Sequence, residues 1–134
     1  LSPFSSFNGM SDAEPEQTFG YSIDQLAQRQ LAYLHLIDHT ASVGPRARAL
    51  LDDLRQRFPG PLILAGGYSA DPATAVALLE QGKADLLAFG QAFIANPDLP
   101  KRLALGVTLN AADPNTFYGG DARGYTDYPS YSGD

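Results

Sequence analysis

Residues 84–99 read ADLLAFGQAFIANPDL, an apolar segment that runs into Gly90 and then into an Asn-Pro helix signature. The apolar run at residues 85–89 suits a strand of a parallel sheet that is buried on both faces. Asn at a cap followed by Pro at the first helical position is a frequent helix start. A glycine between strand and helix lets backbone N–H groups approach an anion closely. The stretch therefore predicts a strand-turn-helix unit with the build of a phosphate cradle at Gly90.

The same kind of unit occurs three times along the chain. The clearest helix follows Pro45, because its apolar residues recur at helical spacing and a Pro-Gly pair stops it. Another helix is predicted to begin at an Asp71 N-cap with Pro72 behind it and to end at Gly82. The predicted elements are a loop over Leu1–Thr18, a helix over Tyr21–Leu31, a strand over Ala32–Asp38, a helix from Pro45 to Phe58, a strand over Pro61–Ala65, a helix from Pro72 to Leu79, a strand over Asp85–Phe89, a helix over Pro97–Leu105 and an aromatic, glycine-rich tail. The predicted apolar stripes are Ile23, Leu26, Ala27 and Leu31; Ala47, Leu50, Leu51, Leu54 and Phe58; and Ala73, Val76 and Leu79.

Alternating apolar strands and amphipathic helices indicate an α/β fold with a parallel sheet and right-handed crossovers. A complete TIM (β/α)8 barrel takes about 250 residues, so a chain of this length would supply about three of its eight strand-helix units. Such a partial barrel leaves two strand edges and a helix-packing surface uncovered, which favours aggregation. We therefore expect a partner segment that covers them.

The composition limits the classes of partner. A net charge of -6, with no cluster of Lys and Arg, argues against nucleic acid. No segment approaches the run of about 18 apolar residues that spans a bilayer. The absence of cysteine excludes disulfides and thiolate chemistry and suits a cytoplasmic protein, and no metal-ligand cluster appears. The chain begins Leu1-Ser2-Pro3, with neither Met nor a signal-peptide pattern, so we expect it to be part of something longer.

Several ordered blocks carry a resemblance to a known family. The chain is similar, over essentially its whole length, to the carboxyl-terminal part of the Old Yellow Enzyme family of flavin-dependent ene-reductases. On this resemblance residues 1–134 form the last three strand-helix units and the tail of one barrel domain, and the amino-terminal portion is absent. The blocks are Leu1-Ser2-Pro3, Thr18-Phe19-Gly20-Tyr21, Tyr33-Leu34-His35-Leu36, Ala65-Gly66-Gly67-Tyr68, Ala88-Phe89-Gly90, Asn96-Pro97-Asp98-Leu99, Thr116-Phe117-Tyr118-Gly119-Gly120 and Gly124-Tyr125-Thr126-Asp127-Tyr128-Pro129.

The resemblance implies a cofactor site. In that family the FMN phosphate is held by the loops after the seventh and eighth strands, which correspond to Gly66, Gly67, Gly90 and Gln91 here. Glycines at strand ends permit close backbone approach to an anion. The residues alone leave a second interpretation open, in which these glycines only make tight turns.

One position departs from the family pattern. Relatives usually carry Arg after the glycine of the eighth strand, where it pairs with the phosphate, and this chain has Gln91. A neutral amide cannot make a charge-assisted, bidentate pair, so its support for the phosphate is weaker. Lys101 or Arg102 are candidates to compensate, although a solvated helix face is the expected place for both.

The resemblance places two residues near the substrate. Asn8 falls where relatives have a polar pocket residue, and Tyr118 where they have an aromatic near the flavin. The alternatives are a turn role for Asn8, the commoner one for Asn-Gly, and packing of the tail for Tyr118. His35 is interpreted as a hydrogen-bonded core residue, and His39 as a residue at a strand end facing the barrel mouth, where barrel chemistry collects.

The implied chemistry is hydride transfer from NADPH or NADH to FMN and then to an activated alkene, such as an enone or a nitro compound. The residues that grip the substrate and deliver the proton belong to the first five strands, so we assign this chain no catalytic residue and no metal. The favoured hypothesis is a portion that a companion polypeptide carrying those five strands completes. The alternatives are a self-associating partial barrel with a structural or phosphate-binding role, and another phosphate-binding barrel enzyme that shares only the turn.

Overall fold

The computed structural model describes residues 1–68, 72–119 and 121–133. The chain divides into two compact units, Leu1–Ala88 and Phe89–Asp134. The first unit contains α1 (Pro15–Ala27), β1 (Leu34–Ile37), α2 (Thr40–Val43), α3 (Pro45–Arg57), β2 (Leu62–Ala65), α4 (Pro72–Glu80) and β3 (Leu86–Ala88). The second unit contains α5 (Gln91–Ala95) and α6 (Leu99–Leu105). Short 3-10 turns lie at Phe7–Gly9 and Pro114–Thr116.

The first unit is built on a three-stranded parallel sheet in the order β1-β2-β3. The backbone of Leu1 continues the hydrogen bonding along the outer edge of β1. Its amine donates to the His35 carbonyl at 2.6 Å, and its carbonyl accepts from the Ile37 N–H at 2.9 Å. The predicted α/β fold with a parallel sheet is confirmed, and each strand is shorter than predicted.

Helices pack against one face of the sheet. Alternate residues of β1 and β2 point into this core, and the stripe predicted on α3 is confirmed, since each of its residues is at most 4% exposed. Each buried Leu or Phe side chain contributes roughly 1.5–3 kcal/mol when it leaves water. Helix α1 lies against α3, where Arg57 pairs with Asp24 and Arg46 with Glu16. The buried strand residues are Leu34, Leu36, Leu62 and Leu64.

An ionic clamp closes the amino-terminal end of β2 and β3. The Asp85 carboxylate accepts a hydrogen bond from the Leu62 N–H at 2.7 Å and pairs with Arg55 of α3 at 2.7 Å. The Leu62 hydrogen bond, with the Arg55 guanidinium, lowers the pKa of Asp85. The clamp ties two strands and a helix together, and we refer to it as the Asp85 clamp.

The opposite face of the sheet is open. The register aligns His35 with Ile63 and Ile63 with Leu86, so these side chains share that face. His35 and Ile63 are only half-buried, and Leu86 is 54% exposed. In the part of the chain that the structure describes, no strand pairs with the outer edge of β3. The sheet therefore has an uncovered apolar face and a free edge.

The boundaries of α1 correct the sequence prediction. The helix begins at Pro15, inside the predicted loop, and ends at Ala27. Proline is well suited to the first helical turn, which explains the early start. Gln30 takes a left-handed conformation (φ 49°), and Leu31 lies outside the helix and is 40% exposed. Ile23 is the fully buried member of the predicted stripe, while Leu26 and Ala27 are half-buried.

The buried face of α4 also differs from the prediction. Ala75 and Leu78 are buried, whereas Ala73 is exposed and Val76 and Leu79 are 52% and 41% exposed. The helix's own residues are apolar on all of its sides, so two apolar stripes with the same spacing were available. Periodicity alone could not show which of the two stripes is buried. Gly82 follows in the left-handed conformation that a helix end favours. The predicted N-cap, Asp71, lies outside the described residues.

The second unit is organised by a pair of asparagines. The Asn96 side chain accepts from the Asn110 N–H at 2.7 Å and donates to the carbonyls of Ala92 and Asn110. Asn96 is fully buried. The predicted cap at Asn96 is therefore wrong, because its side chain is used in this pairing and α6 begins after Asp98. Helix α5, which precedes it, was not predicted.

No helix in the described ranges is long and apolar enough to cross a membrane.

Candidate functional site

A polar cluster lies at the carboxyl ends of β1 and β2, beside the Gly66-Gly67 turn. The Asp38 carboxylate accepts hydrogen bonds from the Thr40 N–H, the Tyr68 hydroxyl and Arg48 Nη2, each at 2.7 Å. Its side chain is only 4% exposed. We call Asp38, Arg48 and Tyr68 the Asp38 cluster. It forms because β1 and α3 place Asp38 and Arg48 on the same side as the loop after β2.

The cluster has marked electrostatic consequences. Burial by itself would raise the pKa of Asp38, but hydrogen bonds from Thr40 and Tyr68 and the charge of Arg48 lower it below its ordinary value. Burial and the hydrogen bond to Asp38 strongly raise the pKa of the Tyr68 hydroxyl. Asp38 therefore stays ionised and Tyr68 stays protonated at neutral pH, so Tyr68 remains the donor.

The two glycines of the turn differ in how much space a side chain would have. A Cβ on Gly66 would lie 3.1 Å from Tyr68 Cζ and 3.3 Å from the Asp38 Cβ and carbonyl, so the Asp38 cluster leaves little room for a side chain. A Cβ on Gly67 would meet no atom of the described residues within 4 Å, and the φ of Gly67 lies outside the left-handed region. Nothing in the described chain therefore requires glycine at position 67.

A cavity of about 260 Å³ adjoins this turn. Arg48 Nη1 is shielded from solvent and has no hydrogen-bond partner among the described residues. Asp38 balances the charge of Arg48, so this pair gives the cavity wall no net positive charge. The cavity is lined by Asp38, Thr40, Ala41, Arg48, Gly67, Tyr68 and Thr74.

The second predicted cradle lies in the second unit. Gly90 and Gln91 are both exposed, and Gly90 has φ -91° and ψ -83° as it leads into α5. A Cβ on Gly90 would also meet no atom within 4 Å. A largely apolar cavity of about 460 Å³ adjoins Gly90, lined further by Phe93, Ile94, Pro97, Tyr125, Thr126 and Tyr128. The binding of the FMN phosphate by Gly90 and Gln91 stays a prediction.

The two cations considered as substitutes for the missing arginine are engaged elsewhere. Arg102 is 5% exposed and donates to Asp98, to the Thr108 carbonyl and to the Pro129 carbonyl. Its predicted solvated position is wrong, because these acceptors bury it under the tail. Lys101 is exposed, as expected, and donates to the Tyr131 carbonyl at 3.3 Å.

The other predicted site residues are Asn8, in the first unit, and Tyr118, in the second. Asn8 is exposed and adopts a left-handed conformation (φ 54°), which fits its turn interpretation. Tyr118 is 92% exposed and meets only the edge of Phe117 among the aromatic contacts described. Packing of the tail does not account for such exposure, and the substrate roles of both residues stay predictions.

The two histidines lie in β1 and just after it. His35 Nε2 is shielded from solvent, but the side chain is half-buried on the sheet face away from the helices. It also lacks a hydrogen bond from Nε2 to any described residue, so the expected hydrogen-bonded core position is not found. His39 follows the strand, and its Nε2 lies 3.1 Å from the Ser2 hydroxyl.

The sequence interpretation missed the Asp38 cluster. A signal was present, because Asp38 stands at the end of a predicted strand and Tyr68 directly follows the glycine pair. Polar residues at the carboxyl ends of adjacent parallel strands meet at one edge. Applied to both strand ends, that rule would have brought the two residues together.

Comparison with known proteins identifies the family. The profile of the NADH:flavin oxidoreductase / NADH oxidase family matches residues 1–110. The chain belongs to this family. Among curated members, a putative 12-oxophytodienoate reductase 5 of Oryza sativa subsp. japonica is 40% identical over 96% of the chain, and 12-oxophytodienoate reductase 2 of Arabidopsis thaliana is 40% identical over 97%. The expected membership of the Old Yellow Enzyme family is confirmed.

Solved structures of this flavin oxidoreductase family share the fold. Morphinone reductase superposes with a TM-score of 0.87 at 46% identity over 98% of the chain, and the old yellow enzyme from Trypanosoma cruzi with 0.86 at 34% identity over 98%. The chain spans about a third of these relatives, 35% of morphinone reductase and 35% of each of the two 12-oxophytodienoate reductases. It is thus an α/β segment similar to part of a flavin-dependent oxidoreductase.

The residues present fit a flavin phosphate in one respect, and in another respect they would bind it less strongly. Gly67 and Gly90 leave open space beside the backbone without an internal need for glycine, as a ligand that approaches closely would require. Gln91 offers an amide donor in place of a guanidinium, so the charge of the phosphate would be less well balanced.

Proposed function

We propose that this chain is the FMN-binding part of an NAD(P)H-dependent ene-reductase, which reduces the activated C=C bonds of enones and nitro compounds. The observation that carries the proposal is the Gly66-Gly67 turn. It stands at the carboxyl end of a parallel sheet, where barrel enzymes bind phosphate, and no atom of the described residues fills the space beside Gly67.

In this proposal the phosphate of FMN is held by backbone N–H groups of Gly66, Gly67 and Gly90 and by the Gln91 amide. When bound, FMN supplies the hydride chemistry, and the chain orients it. NADPH or NADH is the reductant, and a morphinone reductase structure in complex with tetrahydroNAD supports a nicotinamide. Asn8 and Tyr118 orient the substrate.

A companion polypeptide carrying the first five barrel strands completes the enzyme and brings the catalytic residues. The uncovered apolar face of the sheet and the free edge of β3 support this, because a closed barrel would cover both. The lack of cysteine suits the cytoplasm, which stays a prediction.

The test is a chimera in which this chain replaces the matching third of morphinone reductase. We expect a yellow protein with one FMN per chain that oxidises NADH or NADPH when an enone is added. The matched variant is Gly67→Val. A Cβ at position 67 would meet no atom of the described residues within 4 Å, so we expect the chimera to remain folded, by circular dichroism, but to lose FMN.

The alternatives predict other outcomes. A chimera that folds without binding flavin would contradict the proposal. A colourless homo-oligomer of the chain alone, together with that result, would favour the self-associating partial barrel. Full FMN content in Gly67→Val would show that the phosphate lies elsewhere.

A further inference from the structure

Asp38 is joined to both sides of the Gly66-Gly67 turn. Its N–H donates to the carbonyl of Ala65, the residue before the turn, at 2.6 Å. Its carboxylate accepts from the hydroxyl of Tyr68, the residue after the turn, at 2.7 Å. We propose that Asp38 is a positioning residue, which holds this turn in the conformation that receives the flavin phosphate. The inference rests on the function proposed above.

The Asp38 side chain is itself held by two donors outside the turn. The Thr40 N–H donates to Oδ1 and Arg48 donates to Oδ2, each at 2.7 Å, and neither donor belongs to the turn. With the Tyr68 hydroxyl, these donors occupy both carboxylate oxygens, and the side chain is 4% exposed. Asp38 is therefore an anchor set by β1, α2 and α3 to which the loop after β2 is attached.

Gly66 shows how closely the turn follows this anchor. An added Cβ would approach both Tyr68 and Asp38 to 3.1–3.3 Å, a spacing tighter than most real Cβ contacts. The missing side chain thus lets the turn close over Asp38. By contrast, no described atom lies within 4 Å of a Cβ at Gly67. The turn is therefore held at Gly66 and presents Gly67 outward.

An anchored turn has a specific consequence for binding. Groups that are already in place when a ligand arrives lose little freedom, so a larger share of their interaction appears as affinity. The effect concerns the phosphate alone, because the turn is proposed to touch no other part of the flavin. The affinity for FMN should therefore depend on Asp38 and Tyr68, whereas the affinity for riboflavin, which lacks the phosphate, should not.

The test compares Tyr68→Phe and Asp38→Asn with two control variants. Tyr68→Phe keeps the ring and removes one hydrogen bond, and its control is Tyr33→Phe, on a side chain that is 55% exposed. The control for Asp38→Asn is Asp85→Asn, which weakens the similar Asp85 clamp at the other end of the sheet. Two quantities are measured: amide hydrogen exchange at residues 66–68 in the full chain, and the ratio of FMN to riboflavin affinity in the flavin-binding chimera.

We expect Tyr68→Phe and Asp38→Asn to speed exchange at residues 66–68 and to lower the FMN-to-riboflavin ratio by about tenfold, the value of one hydrogen bond. The controls should leave both quantities unchanged. Unchanged exchange in Tyr68→Phe would overturn the inference, as would an unchanged ratio in a chimera that binds FMN. If the unmutated chimera binds no FMN, the proposed function fails with this inference, and the exchange data show whether the anchoring itself is real.

Discussion

Asp38 carries a negative charge in a place from which water is nearly excluded. Three hydrogen-bond donors stabilise this charge, and hydrogen bonds to a carboxylate lower its pKa. The residue thus links the conformation of a glycine turn to the ionisation of one group. That link can be tested by pH.

The first prediction concerns acid stability. The folded pKa of Asp38 lies below its ordinary value of 3.8, so its charge stabilises the fold above that pH and the contribution is lost as the pH falls through the folded value. We expect Asp38→Asn to lower the free energy of unfolding by about 1–3 kcal/mol at pH 7. The difference from the unmutated chain should shrink below pH 4, by urea unfolding over a pH series.

The control is Asp53→Asn, on the exposed surface of α3, which should cost less than about 1 kcal/mol. A difference between Asp38→Asn and the unmutated chain that stays constant down to pH 2.5 would contradict the prediction.

The second prediction concerns Gln91. Replacement by arginine restores a charged, bidentate donor, and hydrogen bonds to charged groups contribute about 1.5–3 kcal/mol. We expect Gln91→Arg to tighten FMN binding at least tenfold in the chimera, by fluorescence titration, and to leave riboflavin binding unchanged. Equal gains for both flavins would mean that the new charge does not act on the phosphate.

At the scale of the element, α6 and the tail depend on a side-chain pair instead of a helix cap. Asn96 satisfies groups on α5 and at Asn110, and Asn110 in turn donates to the carbonyls of Ala95 and Pro129. Arg102 and Asp98 add further bonds to the tail. A tail without periodicity is thereby attached through its backbone.

The third prediction follows from this pair. Asn96→Ala leaves buried backbone groups without partners, so we expect it to lower the free energy of unfolding by about 2–3 kcal/mol in urea. Asn115→Ala, an exposed asparagine, is the control and should change stability by less than about 0.5 kcal/mol. Similar losses in both variants would show that the Asn96 pairing has no special role.

The elements also show how far the sequence leads. The stripe of α3 was predicted in full because polar residues flank it, whereas the apolar circumference of α4 left its buried face undecided. The glycine turns were located because they follow apolar strands. The Asn96–Asn110 pair and the Asp38 cluster join residues far apart in sequence, which periodicity and cap signals within one element do not reveal. For the Asp38 cluster, only the rule that adjacent strand ends meet at one edge could have brought the residues together.

At the scale of the whole molecule, the uncovered sheet face allows a fourth prediction. Leu86 lies on that face and is 54% exposed, so Leu86→Glu should change the stability of the chain alone by no more than about 0.5 kcal/mol. In a completed barrel the same side chain would be buried, and a charge there would be costly. We therefore expect Leu86→Glu to abolish FMN binding by the chimera, measured by absorbance.

Leu105, which is 56% exposed on α6, supplies the matched control. Leu105→Glu should leave the flavin content unchanged. A chimera that carries Leu86→Glu and retains full flavin would argue against a barrel closed over this face.

The Asp85 clamp lies at the amino-terminal end of β2 and β3, and the Asp38 cluster lies at the carboxyl ends of β1 and β2, at the opposite end of the same sheet. In each, an aspartate pairs with an arginine of α3, but only the Asp38 cluster lies beside the glycine turn. Changes at Asp85 can therefore alter stability without changing the glycine turn, whereas changes at Asp38 are expected to alter both. Directed evolution for heat resistance should accumulate changes around Asp85, and selection for a new flavin analogue should accumulate them around Asp38.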